Sequence, residues 1–464
     1  MFALSLKYLW GIYYDRQADP TSDKPLPPGN MGWPLLGETV HFVIKGCKFY
    51  TEKMVKYGKI YKTHIMGKPS IRVMAAENVK KILIGENVLV QTSWPTTLRK
   101  LFVRDRSLSA QTGDDHRTRK VTISKVLGPE NLSYMVPEFQ KVIRECIENW
   151  CNQDQVFGSF ICRQMTYRLT NEVIVGVDIN DTQSIQILPY FETMIDNAFS
   201  IPIKCPGLAF KQAVHAKDKI IVAIKELIAQ SNNNSSSDVN CVLDVLRNLR
   251  DADSLTDDDM VDLLLELMFA GHHTTASVCC SLLLHLGQSP EVLEKIREEL
   301  LENEILDPTA NLTFEQINKL PYIDNVFKEI LLVKPPVGGA FRKALKTFEV
   351  GGYQIPKDWT VIYSIRETHN ISPMFENPHK FNPERWNGER LKSADLRFHY
   401  IPFGLGARSC PGEQFAKLTV KIFLVEMARR CNWKLHNKNP DIDLLPSPYP
   451  KDKLPVSFTK LEIK

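Results

Sequence analysis

The spacing of apolar residues predicts a mainly α-helical chain with small β-sheets. One stretch, Thr256 to Leu286, reads as a single helix of about 45 Å at 1.5 Å per residue. Thr256 with Asp259 forms a capping pair at its start, and Gly287 is its natural stop. Ser289 then caps a following helix with Pro290 at its first position. A further helix is predicted from about Leu320 to Leu332, and residues 129–222 are mostly helical in pattern. Strand signals come in small groups. GKIYKTHIMGKPSIRVMAAENVKKIL predicts two short strands around a turn at Gly67–Pro69, then a helix from about Ala76. FEVGGYQIPKDWTVIYSI predicts a hairpin around Gly351–Gly352. PLPPGNMGWPLLGE, from Pro25 to Glu38, is a stiff connector, and SNNNSSSD, from Ser231 to Asp238, is a polar low-complexity loop.

Composition narrows the function classes. The 464 residues are 43% hydrophobic and 24% charged, ordinary for a protein with a large core. A formal charge of +4 gives no argument for nucleic-acid binding. Ten cysteines without a C-x-x-C pair argue against a disulfide scaffold, a zinc ribbon or c-type haem attachment, and favour a reducing compartment. Sequons at Asn131, Asn234 and Asn370 are expected by chance in a chain this long. No Rossmann fingerprint or Walker loop is present, so nucleotide chemistry belongs to another chain. The opening MFALSLKYLWGIYY is apolar and aromatic, but its fourteen residues fall short of the roughly 20 that a bilayer span needs. Two readings stand for residues 1–24: an interfacial or shortened membrane anchor, or a tail packed on the folded body.

The chemistry concentrates in FGLGARSCPG, from Phe403 to Gly412. A structural cysteine needs none of that company, whereas a thiolate held as an iron ligand uses nearly all of it. Gly404, Gly406 and Gly412 permit a tight loop close to a flat ligand, Phe403 can shield the sulfur, and Arg408 can meet a haem propionate. The helix predicted after Cys410 favours negative charge near its start.

The pattern F-x-x-G-x-R-x-C-x-G resembles the ligand loop of the cytochrome P450 haem-thiolate monooxygenases at every defined position. The resemblance implies the P450 fold over residues 25–464, with haem b between the long central helix and the loop and Cys410 as the metal ligand. FAGHHTT then corresponds to the family's oxygen groove, with Thr274 at the hydroxyl position and His273 where most members carry an acid. Both are expected to handle protons. By the same resemblance His116, Lys120, Arg342 and His399 join Arg408 as propionate partners, while Glu329 and Arg385 (in FNPERW) are structural. The family's E-x-x-R motif is broken here, because Leu332 stands at the arginine position.

Longer stretches, among them THIMGKPSIRVMAAENVKKIL, SWPTTLRKLF and PPVGGAFRKALKTFEVGGYQIPKDW, resemble the retinoic acid hydroxylases. This implies hydroxylation of all-trans-retinoic acid with O2 and electrons from NADPH through a separate reductase, on the cytoplasmic face of the endoplasmic reticulum membrane. Trp94, Phe199, Phe269 and Val337 are the implied pocket residues, and Arg72 the partner of the substrate carboxylate. Lys417, Lys421, Arg429 and Arg430 are expected to form a basic docking face for the reductase. The alternative, motivated by Leu332 and His273, is a catalytically impaired haem- or retinoid-binding protein.

Overall fold

The computed structural model describes residues 2–176, 182–203, 205, 207–231, 241–252 and 255–461. The low-complexity loop beyond Ser231, including the Asn234 sequon, lies outside them. The chain folds into two compact units.

The first unit comprises Met1–Thr96, Val337–Lys380 and Gly388–Cys410. Its centre is a six-stranded sheet built from β1 (Gly29–Asn30), β2 (Ile60–Ile65), β3 (Lys68–Val73), β4 (Val90–Thr92), β5 (Gly339–Ala344) and β6 (Thr360–Ser364), in the order β1-β2-β3-β6-β5-β4. The tight turn between β2 and β3 falls on Met66 and Gly67, both at positive φ, one residue earlier than the sequence suggested. Pro69 is therefore inside β3, where it faces His64. Pairing of β3 with β6 begins only at Ser70, so the missing proline N–H interrupts no ladder on that side. The hairpin at Gly351–Gly352 forms as predicted, Val350 opposite Tyr353 with both glycines at positive φ.

Two helices matter in this unit, α1 (Phe2–Asp15) and α2 (Ala76–Ile84). α1 packs on the sheet. Trp10 meets His64 edge-on at 5.5 Å, and Tyr14 meets Trp359 at 5.9 Å and is buried in the core with Ile71, Val79 and Val361. Residues 1–24 thus belong to the first unit, and the proline-rich connector after them does not separate two bodies.

The second unit comprises Thr97–Pro336, Phe381–Asn387 and Pro411–Lys464. The helices that carry its chemistry are α3 (Gly113–Val126), α4 (Gly158–Leu169), α5 (Asp257–Gln288), α6 (Pro321–Val333) and α7 (Glu413–Arg430). The predicted capping pair starts α5, with Asp259 N–H donating to Thr256 Oγ1 at 3.2 Å and Thr256 N–H returning to the Asp259 carboxylate at 2.9 Å. Gly287 does not end it; the helix runs one residue further, to Gln288. α5 is long and apolar enough to cross a membrane, yet most of its residues are buried in the protein, as expected of a core helix that is apolar on all sides. Phe269, Ala270, Gly271 and Thr274 form a short stripe that stays partly open midway along it.

Candidate functional site

Cys410 and Cys205 are the exposed cysteines; the other eight are buried or partly so, and all ten are free thiols. The loop carrying Cys410 closes on itself. Cys410 N–H donates to Phe403 O at 2.9 Å, Ser409 N–H to Gly406 O at 3.1 Å, and Gly404 N–H to Ile401 O at 3.0 Å. Gly404 and Gly406 sit at φ +66° and +72°, which L side chains rarely adopt. A Cβ on Gly406 would also lie 3.0 Å from Leu83 O, so this glycine lets the loop rest against the end of α2. Phe403 shares the loop and is half-buried.

Two of the expected propionate partners converge in the first unit. Arg342, on β5, donates from Nε to Glu86 Oε2 at 2.7 Å, and Arg408 donates from Nε to Glu86 Oε1 at 3.1 Å. Glu86, which carried no signal in the sequence, is the hub of both. Burial pushes the nearby Tyr363 phenol above its ordinary pKa, although Arg342 acts against this. His399 pairs through Nδ1 with Ser372 Oγ at 2.9 Å. His116 and Lys120 belong to the second unit, one turn apart on α3, the histidine buried and the lysine half-buried.

On α5 the two adjacent candidates point apart. Thr274 lies in the open stripe, its hydroxyl donating to Ala270 O at 2.7 Å. His273 is buried, its ring 5.5 Å from that of Tyr449, whose hydroxyl donates to the His273 carbonyl at 3.3 Å. Neither ring nitrogen has a hydrogen-bond partner among the described residues. Burial, aided by His272 and Arg163, holds its pKa well below the usual histidine range. Buried, and without a hydrogen-bond partner on either nitrogen among the described residues, His273 lies outside the open stripe of Thr274 with which it was expected to share proton handling.

Three histidines of α5 predict acid lability. Burial pushes His272 down to about 3, with Arg163 adding to it, and His285 down to about 4, with Lys334 adding and Gln288 opposing. His273 shifts the same way. All three stay neutral in the fold and take up protons on unfolding below about pH 6.5, so their contribution is complete above that pH and is lost as pH falls. At about 1.4 kcal/mol per pH unit for each group, the loss is roughly 4 kcal/mol per unit between about pH 6 and 5. Denaturant melts at pH 7.5 and 5.5 test this, and equal midpoints would mean that the rings titrate normally.

The broken E-x-x-R motif is satisfied without its arginine. Glu329, on α6, accepts from Arg385 Nε at 3.0 and 2.8 Å, from Trp386 Nε1 at 2.8 Å and from Asn382 N–H at 2.8 Å. Burial pushes its carboxyl upward, while these donors pull it back. Leu332 is 0% exposed and sits among apolar neighbours of α6 such as Leu331 and Ile330.

Two other expectations are corrected. Arg72 is not available to a substrate carboxylate. Buried on β3, it donates to Glu367 Oε2 at 2.9 Å and Ser364 Oγ at 3.0 Å, with the Tyr50 ring 3.5 Å from its guanidinium. The basic docking face on α7 also fails. Lys421 is fully buried 3.0 Å from Asp324, and Lys417 lies 3.3 Å from the same oxygen. Arg429 is buried on Glu426, and Arg430 shares that carboxylate. Burial alone would raise the Glu426 pKa, but the arginines and Gln140 hold it below the usual range.

Of the implied pocket residues, Trp94 lines a small open groove of about 20 Å³ with Ile65, Met66, Pro95 and Phe341, together with Ser70, Ser93 and Thr360, where Lys68 is the charged member. Val337 is 41% exposed. Phe269 stacks on Phe102 at 4.0 Å, a partner not visible in the sequence pattern. Phe199 is half-buried in the same unit.

The cytochrome P450 family model matches residues 27–455. The chain is 38% identical to cytochrome P450 26A1 of Danio rerio, over 99% of this chain and 95% of the relative. It is 35% identical to cytochrome P450 26B1 of Homo sapiens, over 98% and 90%. Among solved structures, retinoic acid-bound cyanobacterial CYP120A1 superposes with a TM-score of 0.89 at 31% identity, covering 95% of this chain and all of that one. The chain belongs to the cytochrome P450 family, haem-thiolate monooxygenases. Among the relatives matched over nearly their whole length are cytochromes P450 26A1, 26B1 and 26C1. The family's haem fits the residues present: an exposed thiol on a loop turned by Gly404 and Gly406 at positive φ, and arginines gathered on a neighbouring strand and on that loop.

Proposed function

We propose that this protein hydroxylates all-trans-retinoic acid on its ring, with electrons from NADPH supplied by a separate reductase. The observation that carries the reading is the likeness, at 31% identity over 95% of this chain, to a solved structure that holds retinoic acid; Trp94 and Lys68 share a small groove lined by apolar and hydroxyl side chains.

Haem bound at Cys410 supplies the activation of dioxygen and its insertion into a C–H bond. The chain's own residues do the rest. Cys410 presents the thiolate, its backbone held by the Phe403 carbonyl. Arg342, Arg408, His116, Lys120 and His399 offer cations or donors to the propionates. Thr274 keeps a proton on Oγ1, directed at Ala270 O, and can redirect it by rotating its hydroxyl. Lys68 takes the carboxylate role once expected of Arg72.

The protein is proposed to work at the endoplasmic reticulum membrane, with its catalytic domain in the cytoplasm. α1 spans about 21 Å, short of a bilayer core of about 30 Å. It exposes Tyr8, Leu9 and Tyr13, and the first unit also exposes Trp33, Leu35 and Ile44, a set suited to the interface. Lys7 lies over the Trp33 ring at 5.4 Å, linking the two segments. The impaired-binder reading draws no support from Leu332, because Glu329 is satisfied without an arginine there.

The deciding experiment is turnover of retinoic acid with NADPH and reductase, comparing the native chain with Lys68→Met. Hydroxylated product, and a Kd that rises more for retinoic acid than for retinol in the variant, are expected. No product from haem-loaded protein would overturn the activity, and equal losses for both ligands would remove Lys68.

A further inference from the structure

Glu86 occupies a position that ordinary surface pairing does not explain. Its side chain is 4% exposed, and its carboxylate gathers donors from three places: the Thr92 N–H on β4 at 3.0 Å, Arg342 on β5 and Arg408 in the cysteine loop. The sheet register creates this convergence, since Thr92 and Arg342 are opposite one another across β4 and β5. The backbone before Thr92 is shaped to deliver the carboxylate. Val88, Leu89 and Val90 all donate to Gly85 O, at 3.1, 2.8 and 3.1 Å, and Asn87 turns through φ +65° while donating to Val90 O at 2.7 Å.

We propose that Glu86 is a positioning residue for the haem: it sets the plane of both propionate-binding guanidiniums and ties the Cys410 loop to the strand that carries Arg342. A carboxylate that grips a guanidinium at Nε fixes its orientation and leaves the Nη edge for other acceptors. Arg342 spends Nη1 on Phe341 O at 2.9 Å, so its plane is held at two points. Arg408 lies two residues before Cys410, so the bond that aligns this cation also anchors the thiol's loop. Groups that orient the direct partners of a metal cofactor commonly change its retention by 10–100-fold when removed. Glu86 also places a fixed negative charge beside two cations, and losing it favours the reduced, less positive iron.

The inference rests on the proposed assignment of Arg342 and Arg408 to the propionates. The test uses full-length holoprotein carrying Glu86→Gln, Glu86→Asp, Arg342→Ala or Arg408→Ala. The measurements are haem transfer to an excess of apomyoglobin, the thiolate-type fraction of the carbon monoxide difference spectrum, and the reduction potential. For Glu86→Gln, transfer about tenfold faster, a smaller thiolate-type fraction and a raised potential are expected. Glu86→Asp keeps the charge but shortens the reach, so it speeds transfer without raising the potential, and it carries the test if the glutamine variant fails to fold. Unchanged transfer and potential in folded glutamate variants, with fast transfer in the arginine variants, overturn the role of Glu86 alone. Unchanged transfer in the arginine variants as well overturns their assignment.

Discussion

Cys410→Ser is expected to reduce retinoic acid turnover to background and to remove the thiolate-type band from the carbon monoxide difference spectrum, while the protein stays folded. A serine hydroxyl is not ionised at neutral pH and cannot replace a thiolate as a strong electron donor to iron. The loop itself depends little on the sulfur. Its closure runs through the Cys410 N–H and the Phe403 carbonyl, which serine retains, and the side chain is exposed. Stability should therefore change by no more than about 0.5 kcal/mol before haem loss is counted. Spectrum, turnover and a denaturant melt of the same preparation separate these effects. A surviving thiolate-type band would exclude Cys410 as the ligand and direct attention to Cys205, the other exposed cysteine.

The second large effect concerns Glu329 and Leu332. Glu329→Ala leaves the Arg385 guanidinium, with its side chain 8% exposed, without its carboxylate, and also strips acceptors from Trp386 Nε1 and Asn382 N–H. Breaking a buried pair in this way costs about 3–5 kcal/mol. That is a large share of a domain's usual net stability, so weaker haem retention should accompany a lower denaturation midpoint. Restoring the family's arginine through Leu332→Arg is expected to harm the protein too. Glu329 already accepts from three N–H groups, the single Arg385 Nε–H being shared between its two oxygens. A new guanidinium would enter a fully buried apolar position and compete with these donors for the same carboxylate. Urea melts and haem content measure both variants. Improved haem retention in Leu332→Arg would instead mark Leu332 as a lesion and revive the impaired-binder reading.

Features governed by local chemistry were legible in the chain itself. The Thr256–Asp259 box, the paired glycines at 351–352 and Pro290 act within a few residues and appear where the chain places them, although Ser289 makes no side-chain cap bond to the helix it was expected to cap. The cysteine loop was readable for the same reason, because its glycines and its closing hydrogen bond span only ten residues. Misreadings came where a side chain's partner is distant in sequence. Arg72 looked like a cation awaiting a ligand, yet its acceptor, Glu367, is 295 residues away. The basic run on α7 looked like a surface, but Asp324, on α6, pairs with Lys417 and Lys421. No sequence signal marked Glu86, whose donors Arg342 and Arg408 lie 256 and 322 residues further along.

The sequence by itself determined the helix and turn punctuation, the ligand loop and the family, since these rest on backbone preferences and contacts between near neighbours. Only the tertiary structure decided which charges meet: Arg72 with Glu367, Arg385 with Glu329, Arg342 and Arg408 with Glu86. A buried charge must find its opposite wherever the folded chain brings one, and sequence distance carries no record of that meeting.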